Sequence, residues 1–126
     1  MKDFRELKVW QKAHELSLAL YRATATFPKE ELYGLTSQIR RACSSIPANI
    51  AECCGRGSDA DFARFLQVAM GSASETEYEL LLSRDLGYLP PAEYAALQEC
   101  TQEVKRMLSS LLKTLRTPSK QLIAER

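Results

Sequence analysis

The sequence predicts an all-α protein, an antiparallel up-down-up-down four-helix bundle, on three observations. Four segments carry apolar residues at helical spacing, and no segment shows the alternation that is typical of a strand. The 126 residues include only five Gly and five Pro, which is too few for a turn-rich β sandwich. The connections between the four segments are short, and short connections place successive helices antiparallel in a bundle.

The first helix is predicted from an apolar stripe that begins at Val9. Asp3 and Glu6 resemble a capping box at the start of this helix. Pro28 ends it, because the residue before a proline is disfavoured in the α region. The stripe recurs at steps of three and four residues and comprises Val9, Ala13, Leu16, Leu20, Ala23 and Phe27.

The second helix follows a turn at Gly34 and contains a proline. Pro47 has no N–H for the carbonyl of Cys43, so we expect a kink or local unwinding over residues 44–46. The glycines that flank Arg56 predict a left-handed turn at the end of the helix. Its apolar stripe comprises Leu35, Ile39, Ala42 or Cys43, Ile46, Ile50 and Cys53.

The third helix is predicted to begin after Ser58, a favourable N-cap residue. Five of the six residues 69–74 are small, Met70 being the exception, which predicts the close approach of another helix to this segment. Gly87 and the two prolines that follow it close the helix. Its main stripe comprises Phe62, Leu66, Ala69, Ala73, Thr76 and Leu80.

The fourth helix carries the most regular heptad of the chain and is predicted to end at Thr117-Pro118. The heptad positions are Tyr94, Leu97, Thr101, Val104, Leu108, Leu111 and Leu115. We therefore divide the chain into a four-helix bundle domain over residues 1–117 and a C-terminal tail over residues 118–126.

Three of the helices carry a second, mixed stripe that an isolated bundle does not need. Aromatic residues mixed with Arg and hydrogen-bonding side chains are typical of subunit interfaces. A solvent-exposed face with scattered apolar residues is the alternative interpretation. The predicted oligomer-interface residues are Trp10, Tyr21, Arg41, Ser45, Asn49, Glu52, Phe65, Ser72 and Glu75.

The composition favours neither an enzyme nor a metal protein. The four Cys lack a C-x-x-C spacing, and one His cannot supply the Glu-x-x-His repeats of a di-metal bundle. No nucleotide-binding glycine loop is present. A Glu75–Glu79 pair could serve acid–base chemistry, but pairing with Arg41 or Arg56, within or between subunits, is the favoured interpretation. We expect a non-catalytic protein without catalytic residues, cofactor or metal.

The N-terminus and the apolar runs predict where the protein resides. Residues 1–6 lack the apolar core of a secretion signal. No apolar run approaches the roughly 20 residues that a membrane-spanning helix requires. We therefore expect a cytoplasmic protein that does not engage a membrane.

The second helix resembles a known family. It carries Tyr33-Gly34-Leu35, Gln38-Ile39-Arg40-Arg41-Ala42, Ser45-Ile46-Pro47 and Asn49-Ile50-Ala51-Glu52. This run resembles the bacterial "four helix bundle protein" family, which includes proteins encoded in intervening sequences of large-subunit rRNA genes. The resemblance spans roughly residues 4–90. Where the family usually has Gly after Ala-Glu, this chain has Cys53.

The resemblance implies a left-handed antiparallel bundle that assembles as a ring, commonly a homopentamer. It also implies kinship with the accessory protein of diversity-generating retroelements, a basic pentameric barrel thought to bind nucleic acid. Those relatives are more basic than this chain, whose net charge is +1.

Two functions follow as hypotheses. The first is a homo-oligomeric scaffold that binds RNA or DNA through phosphate contacts, with little sequence specificity because we expect no aromatic stacking surface. The second is an oligomeric protein-interaction adaptor with no nucleic-acid role, which binds a protein partner. The candidate nucleic-acid-binding residues are Arg40, Arg41, Lys105, Arg106, Lys113, Arg116 and Lys120.

Overall fold

The structure is a computed structural model that describes the backbone of residues 3–125 and the side chains of residues 3–115. Its four α-helices are α1 (Lys8–Thr24), α2 (Leu35–Cys54), α3 (Asp59–Asp85) and α4 (Pro91–Glu125). Two 3-10 turns precede α1 and α2, at Phe4–Glu6 and Lys29–Glu31. Each helix packs against its neighbours in sequence, and α1 packs against α4 and closes the bundle. The described backbone contains no strand, so the all-α prediction is confirmed.

The predicted apolar stripes form the core between the four helices. The largest fully buried side chains are Leu16, Leu20, Ile39, Ile46, Ile50, Leu66, Leu80 and Leu108. In α4 the predicted heptad holds through Leu108, but the next buried residue is Leu112, whereas Leu111 and Leu115 are only half-buried. A straight helix has 3.6 residues per turn, so a strict heptad drifts away from the core along its length.

The ends of the helices agree with the sequence at some positions and differ at others. Ser58 Oγ accepts a hydrogen bond from the Asp61 amide at 3.2 Å, which confirms the N-cap of α3. Asp3 instead caps the 3-10 turn, because its carboxylate accepts from the Arg5 amide and α1 begins later. The left-handed turn predicted after α2 is wrong, since Gly55 has a φ of −88°. Gly87, with φ of +81°, is the one described residue in the left-handed region.

The proline inside α2 does not unwind the helix. Residues 44–46 keep an α-helical backbone, which contradicts the predicted local unwinding. The Cys43 carbonyl cannot accept the usual helical hydrogen bond, because the residue four positions on is Pro47, which has no N–H. It lies instead 3.4 Å from Ser17 Oγ of α1. The same hydroxyl lies 3.1 Å from the Ala13 carbonyl, so its proton is shared between the two acceptors. A side chain of the neighbouring helix therefore compensates for the missing bond.

The last helix continues beyond its predicted end. The helical backbone of α4 runs through Thr117-Pro118 to Glu125. The prediction assumed that a helix ends at the residue before a proline. A proline nevertheless has a φ that fits a helix and removes only one backbone hydrogen bond, so the helix continues. The division into residues 1–117 and 118–126 stays a prediction. Over the described residues, none of the helices combines the length and the apolar character that crossing a bilayer demands.

Replacing Gly87 by alanine is expected to lower the free energy of unfolding by about 1 to 2 kcal/mol, because a Cβ is unfavourable in the left-handed region. The turn is fixed by hydrogen bonds from the Gly87 amide to the Arg84 carbonyl and from the Tyr88 amide to the Ser83 carbonyl. Urea unfolding measures the difference. Gly57→Ala is the control, since a Cβ there meets nothing within 4 Å and its φ is not positive. Equal losses in the two variants would contradict the prediction.

Candidate functional site

A polar groove lies on the outer surface between α2 and α3, and we call it the α2–α3 groove. It encloses about 460 Å³ and is lined by Gln38, Arg41, Ala42, Ser45, Ser72 and Glu75. Ser45 Oγ and Ser72 Oγ are 2.9 Å apart and bridge the two helices. Asn49 Nδ2 donates to the Ser45 carbonyl at 2.8 Å. Five of the predicted interface residues are thus brought together: Arg41, Ser45, Asn49, Ser72 and Glu75.

Glu79 lies one turn beyond Glu75 on α3 and is an unusually placed carboxyl group. Its side chain is only 6% exposed, and its Oε1 has no hydrogen-bond partner within residues 3–115. Burial, and after it the negative charge of Glu75, raise the pKa of Glu79 to about 7, against the opposing effect of Arg41. Near neutral pH the Glu79 carboxyl therefore exchanges a proton with solvent, and its protonated form can donate to Glu75.

Within one chain, the described residues show no ion pair of Glu75 or Glu79 with Arg41 or Arg56, and pairing between subunits stays a prediction. Arg56 pairs with Glu52 one turn earlier on α2, at 2.6 Å. Arg41 Nη2 donates to Ser37 Oγ at 3.1 Å, and the guanidinium contributes only at a distance to the electrostatics of Glu79. Arg41 and Arg56 thus find their partners within α2, because residues four apart face each other on a helix.

The groove is flanked on α3 by apolar surface. Val68 is 46% exposed, although it is a large aliphatic side chain. Phe65 is half-buried, and the guanidinium groups of Arg56 and Arg64 lie 4.6 and 4.5 Å from its ring centroid. Gly71 is exposed, and a Cβ added there would meet no atom within 4 Å. Mixed apolar and polar surface of this kind is typical of subunit contacts.

The two predicted interface residues of α1 belong to a different surface. The Trp10 ring is half-buried and stacks on His14 with centroids 4.9 Å apart, while Phe4 meets its edge at 5.0 Å. Tyr21 lies beneath the guanidinium of Arg40, 4.8 Å from it. Since α1 and α3 do not contact each other, neither side chain joins the α2–α3 groove.

The predicted nucleic-acid-binding residues do not form one patch. Arg40 connects two helices, because its Nε donates to Thr24 Oγ1 at 2.8 Å and its Nη2 to the Tyr21 carbonyl at 3.2 Å. Lys105 pairs with Glu77 at 2.8 Å, and this hydrogen bond lowers the pKa of Glu77. Arg106 and Lys113 are exposed on α4 and form no ion pair within residues 3–115. The side chains of Arg116 and Lys120 lie outside the described residues.

A second concave surface was missed by the sequence analysis, and we call it the α1–α2 cavity. It encloses about 440 Å³ and is lined by Tyr21, Leu32, Tyr33, Thr36, Ser37, Arg40, Arg41 and Ser44. The fold brings the end of α1 beside the first turns of α2, and so places Tyr21 next to Arg40. This contact could have been predicted from the sequence only if residues 25–34 had been recognised as a tight connection between two antiparallel helices.

Cys43 and Cys53 are poor nucleophiles in this fold. Burial raises the pKa of Cys43 and of Cys53 to about 12, so both are thiols rather than thiolates at neutral pH. Cys53 Sγ also donates to the Ile50 carbonyl at 2.9 Å. Within the described residues, no cluster of three or more His, Cys, Asp or Glu could hold a metal ion.

The chain is similar to a known protein family and to solved structures. A family described as "23S rRNA-intervening sequence protein" matches residues 5–110. A solved structure, of a protein with unknown function from the S23 ribosomal protein family of Bacteroides thetaiotaomicron VPI-5482, is similar to this chain with 30% identity and a TM-score of 0.76. The match covers 83% of this chain and 98% of that one. The comparison with curated proteins gives no match.

Proposed function

The chain belongs to the 23S rRNA-intervening sequence protein family, and on this premise we propose that it is a non-catalytic, homo-oligomeric scaffold that binds RNA or DNA with little sequence specificity. The resemblance drawn from the second helix is thereby confirmed at the level of the family. We further propose that the protein is cytoplasmic and that the assembly has five subunits, the number that the resemblance implies.

The α2–α3 groove is the observation that carries the proposal of self-assembly. It contains a bridged pair of serines, and beside it on α3 lie the buried Glu79, whose Oε1 has no partner within residues 3–115, and the exposed aliphatic side chain of Val68. Buried polar atoms normally have a hydrogen-bond partner. Removing an aliphatic side chain from water lowers the free energy. A second copy that covers the groove would satisfy both requirements.

The proposal of nucleic-acid binding is supported by the family and by the exposed cations of α4. Arg106 and Lys113 lie in the fourth helix, seven residues apart, and thus on one face of it. A ring repeats this pair in every subunit, so a modest charge per chain becomes a larger cluster. Binding of this kind depends on phosphate contacts and on the release of counterions, and it weakens steeply with salt.

We expect a sedimentation experiment to give a mass several times the 14.2 kDa of one chain. We expect titration with labelled structured RNA to give submicromolar binding at about 50 mM salt, and much weaker binding at about 200 mM salt. The double variant Arg106→Glu, Lys113→Glu should bind at least roughly 10-fold more weakly and with a smaller salt dependence. The control Arg22→Glu changes an exposed charge on α1 and should change binding little.

Each part of the proposal has its own contradicting result. A mass equal to one chain would contradict self-assembly. An assembled protein that binds no nucleic acid at either salt concentration would instead favour an oligomeric protein-interaction adaptor, which the near-neutral net charge of +1 supports. Unchanged binding by the double variant would exclude this face of α4 as the contact.

A further inference from the structure

We propose that the α1–α2 cavity binds one unpaired nucleotide of a single-stranded nucleic acid, with the base stacked on Tyr33 and the phosphate held by Arg41. The inference rests on the proposed nucleic-acid binding and assigns a site to it. Proteins that bind single strands combine positively charged grooves with aromatic rings on which bases stack. Both components are present in this cavity.

The aromatic component is Tyr33, at the entrance of the cavity. Its side chain is 94% exposed, so its ring contributes almost nothing to the packing of the bundle. Tyr21 is 44% exposed in the same cavity, with one face of its ring against the Arg40 guanidinium. Large exposed aromatic side chains in a concave surface are characteristic of binding sites. The structure thus supplies the stacking surface that the sequence analysis did not find.

The cationic component is the pair Arg40 and Arg41. Arg40 is oriented by its hydrogen bonds to Thr24 and to the Tyr21 carbonyl, which use Nε and Nη2. Arg41 borders both this cavity and the α2–α3 groove, and the hydrogen bond from its Nη2 to Ser37 Oγ, a residue of the cavity wall, holds its guanidinium on the cavity side. A guanidinium group matches phosphate with two parallel donors, and Arg41 retains donors for that purpose. Arg40 then contributes charge and a rigid wall.

A buried hydroxyl group gives an independent indication of a ligand. Thr36 lines the cavity, is only 4% exposed, and its Oγ1 has no hydrogen-bond partner within residues 3–115. An unpaired buried hydroxyl is unfavourable, whereas the oxygens of a sugar or a phosphate would satisfy it. Ser37 and Ser44 add two further hydroxyl groups to the wall.

The neighbouring acidic residue does not occupy the cavity. Glu31 Oε1 accepts from the Leu35 amide at 3.1 Å, and its Oε2 accepts from the Tyr88 hydroxyl at 3.0 Å. Its carboxylate therefore caps the first turn of α2 and is absent from the residues that line the cavity. The volume of about 440 Å³ lies in the range of small-ligand sites and suits one nucleotide.

The test is a titration of the assembled protein with labelled oligonucleotides of 12 adenosines as RNA, as DNA, and as the corresponding DNA duplex. Tyr33→Ala is expected to weaken binding of both single strands by roughly 5- to 100-fold, the effect of losing one stacked base. Tyr33→Phe keeps the ring and should bind like the wild type. The duplex should bind equally to all three proteins, because its bases are already stacked and paired.

The matched control is Tyr78→Ala, which removes another exposed tyrosine (60%) from α3, outside the cavity. It should leave single-strand binding unchanged. Neither ring is part of the core, so we expect both variants to fold and assemble like the wild type. Sedimentation of each variant checks this.

If the wild type binds single strands and Tyr33→Ala binds them equally well, the assignment of the cavity is overturned, whereas the proposed function still stands. Equal losses in Tyr33→Ala and Tyr78→Ala would also overturn it. An absence of binding by the wild type to every oligonucleotide would contradict the proposed nucleic-acid binding, and the site with it.

Discussion

Glu79→Gln is expected to raise the free energy of unfolding at pH 8 by on the order of 3 kcal/mol, the largest stabilisation that we expect from any single substitution. Raising a carboxyl pKa from 4.5 to about 7 favours the protonated form by on the order of 3 kcal/mol. At pH 8 the folded wild type must therefore bury an ionised carboxylate beside Glu75. Glutamine has nearly the same shape, carries no charge, and can donate its amide proton to the Glu75 carboxylate.

The sign of the pH dependence follows from proton uptake. Between pH 4.5 and 7 the folded state binds the Glu79 proton more tightly than the unfolded state, so the stability of the wild type falls as the pH rises through this window. The advantage of Glu79→Gln should accordingly be small at pH 5 and reach its full size by pH 8. Urea unfolding at a fixed protein concentration, at both pH values, measures it.

Glu93→Gln serves as the control, since Glu93 is exposed in the first turn of α4 and its replacement should change stability by less than about 0.5 kcal/mol. An advantage of Glu79→Gln that is equal at the two pH values would contradict the explanation through ionisation. Glu75→Gln should give an intermediate effect, because it removes the negative charge beside Glu79 but leaves the burial of that carboxyl.

Gly71→Leu is expected to dissociate the assembly while leaving the subunit folded. Within one chain a Cβ at Gly71 has open space, and its φ is not positive, so the subunit fold does not require glycine there. Leucine is the better helix former by about 0.5 to 1 kcal/mol. If a second copy covers the α2–α3 groove, however, the new side chain lies between the two backbones and prevents their close approach.

Sedimentation and far-UV circular dichroism together measure this prediction: the expected result is a helical species with the 14.2 kDa mass of one chain. Ser74→Leu is the matched control, because Ser74 is exposed on the same helix but lies on the side of α3 turned away from Ser72. A Gly71→Leu protein that keeps the mass of the wild type would contradict the groove as the subunit contact.

The fold could be predicted from the sequence because the apolar stripes are regular and the turns are short. Ile39, Ile46 and Ile50 follow the spacing of a helix and are all fully buried. The exceptions arise where a local rule competes with a tertiary contact. Pro47 predicts unwinding, but a hydroxyl from α1 accommodates the free carbonyl of α2. No pattern within α2 alone contains that information.

The candidate surfaces were less predictable, because whether a charged side chain is paired or free depends on its neighbours in space. Arg40 and Lys105 have the same sequence character as Arg106 and Lys113, yet the first two are engaged in contacts between helices. The Tyr21–Arg40 contact joins residues nineteen positions apart. The sequence distinguishes Glu79 only by its spacing from Glu75, and the packing of α3 is what reveals its burial.

The hydroxyl of Ser17 has a consequence for how the chain folds. Separated from the bundle, α2 would have an open hydrogen bond at its centre, because Pro47 has no N–H to donate to the Cys43 carbonyl. Docking of α1 closes this gap with the Ser17 hydroxyl and packs the two helices against each other in the same step. The second helix is therefore an incomplete folding unit, and α1 and α2 should acquire protection from hydrogen exchange together as one cooperative hairpin.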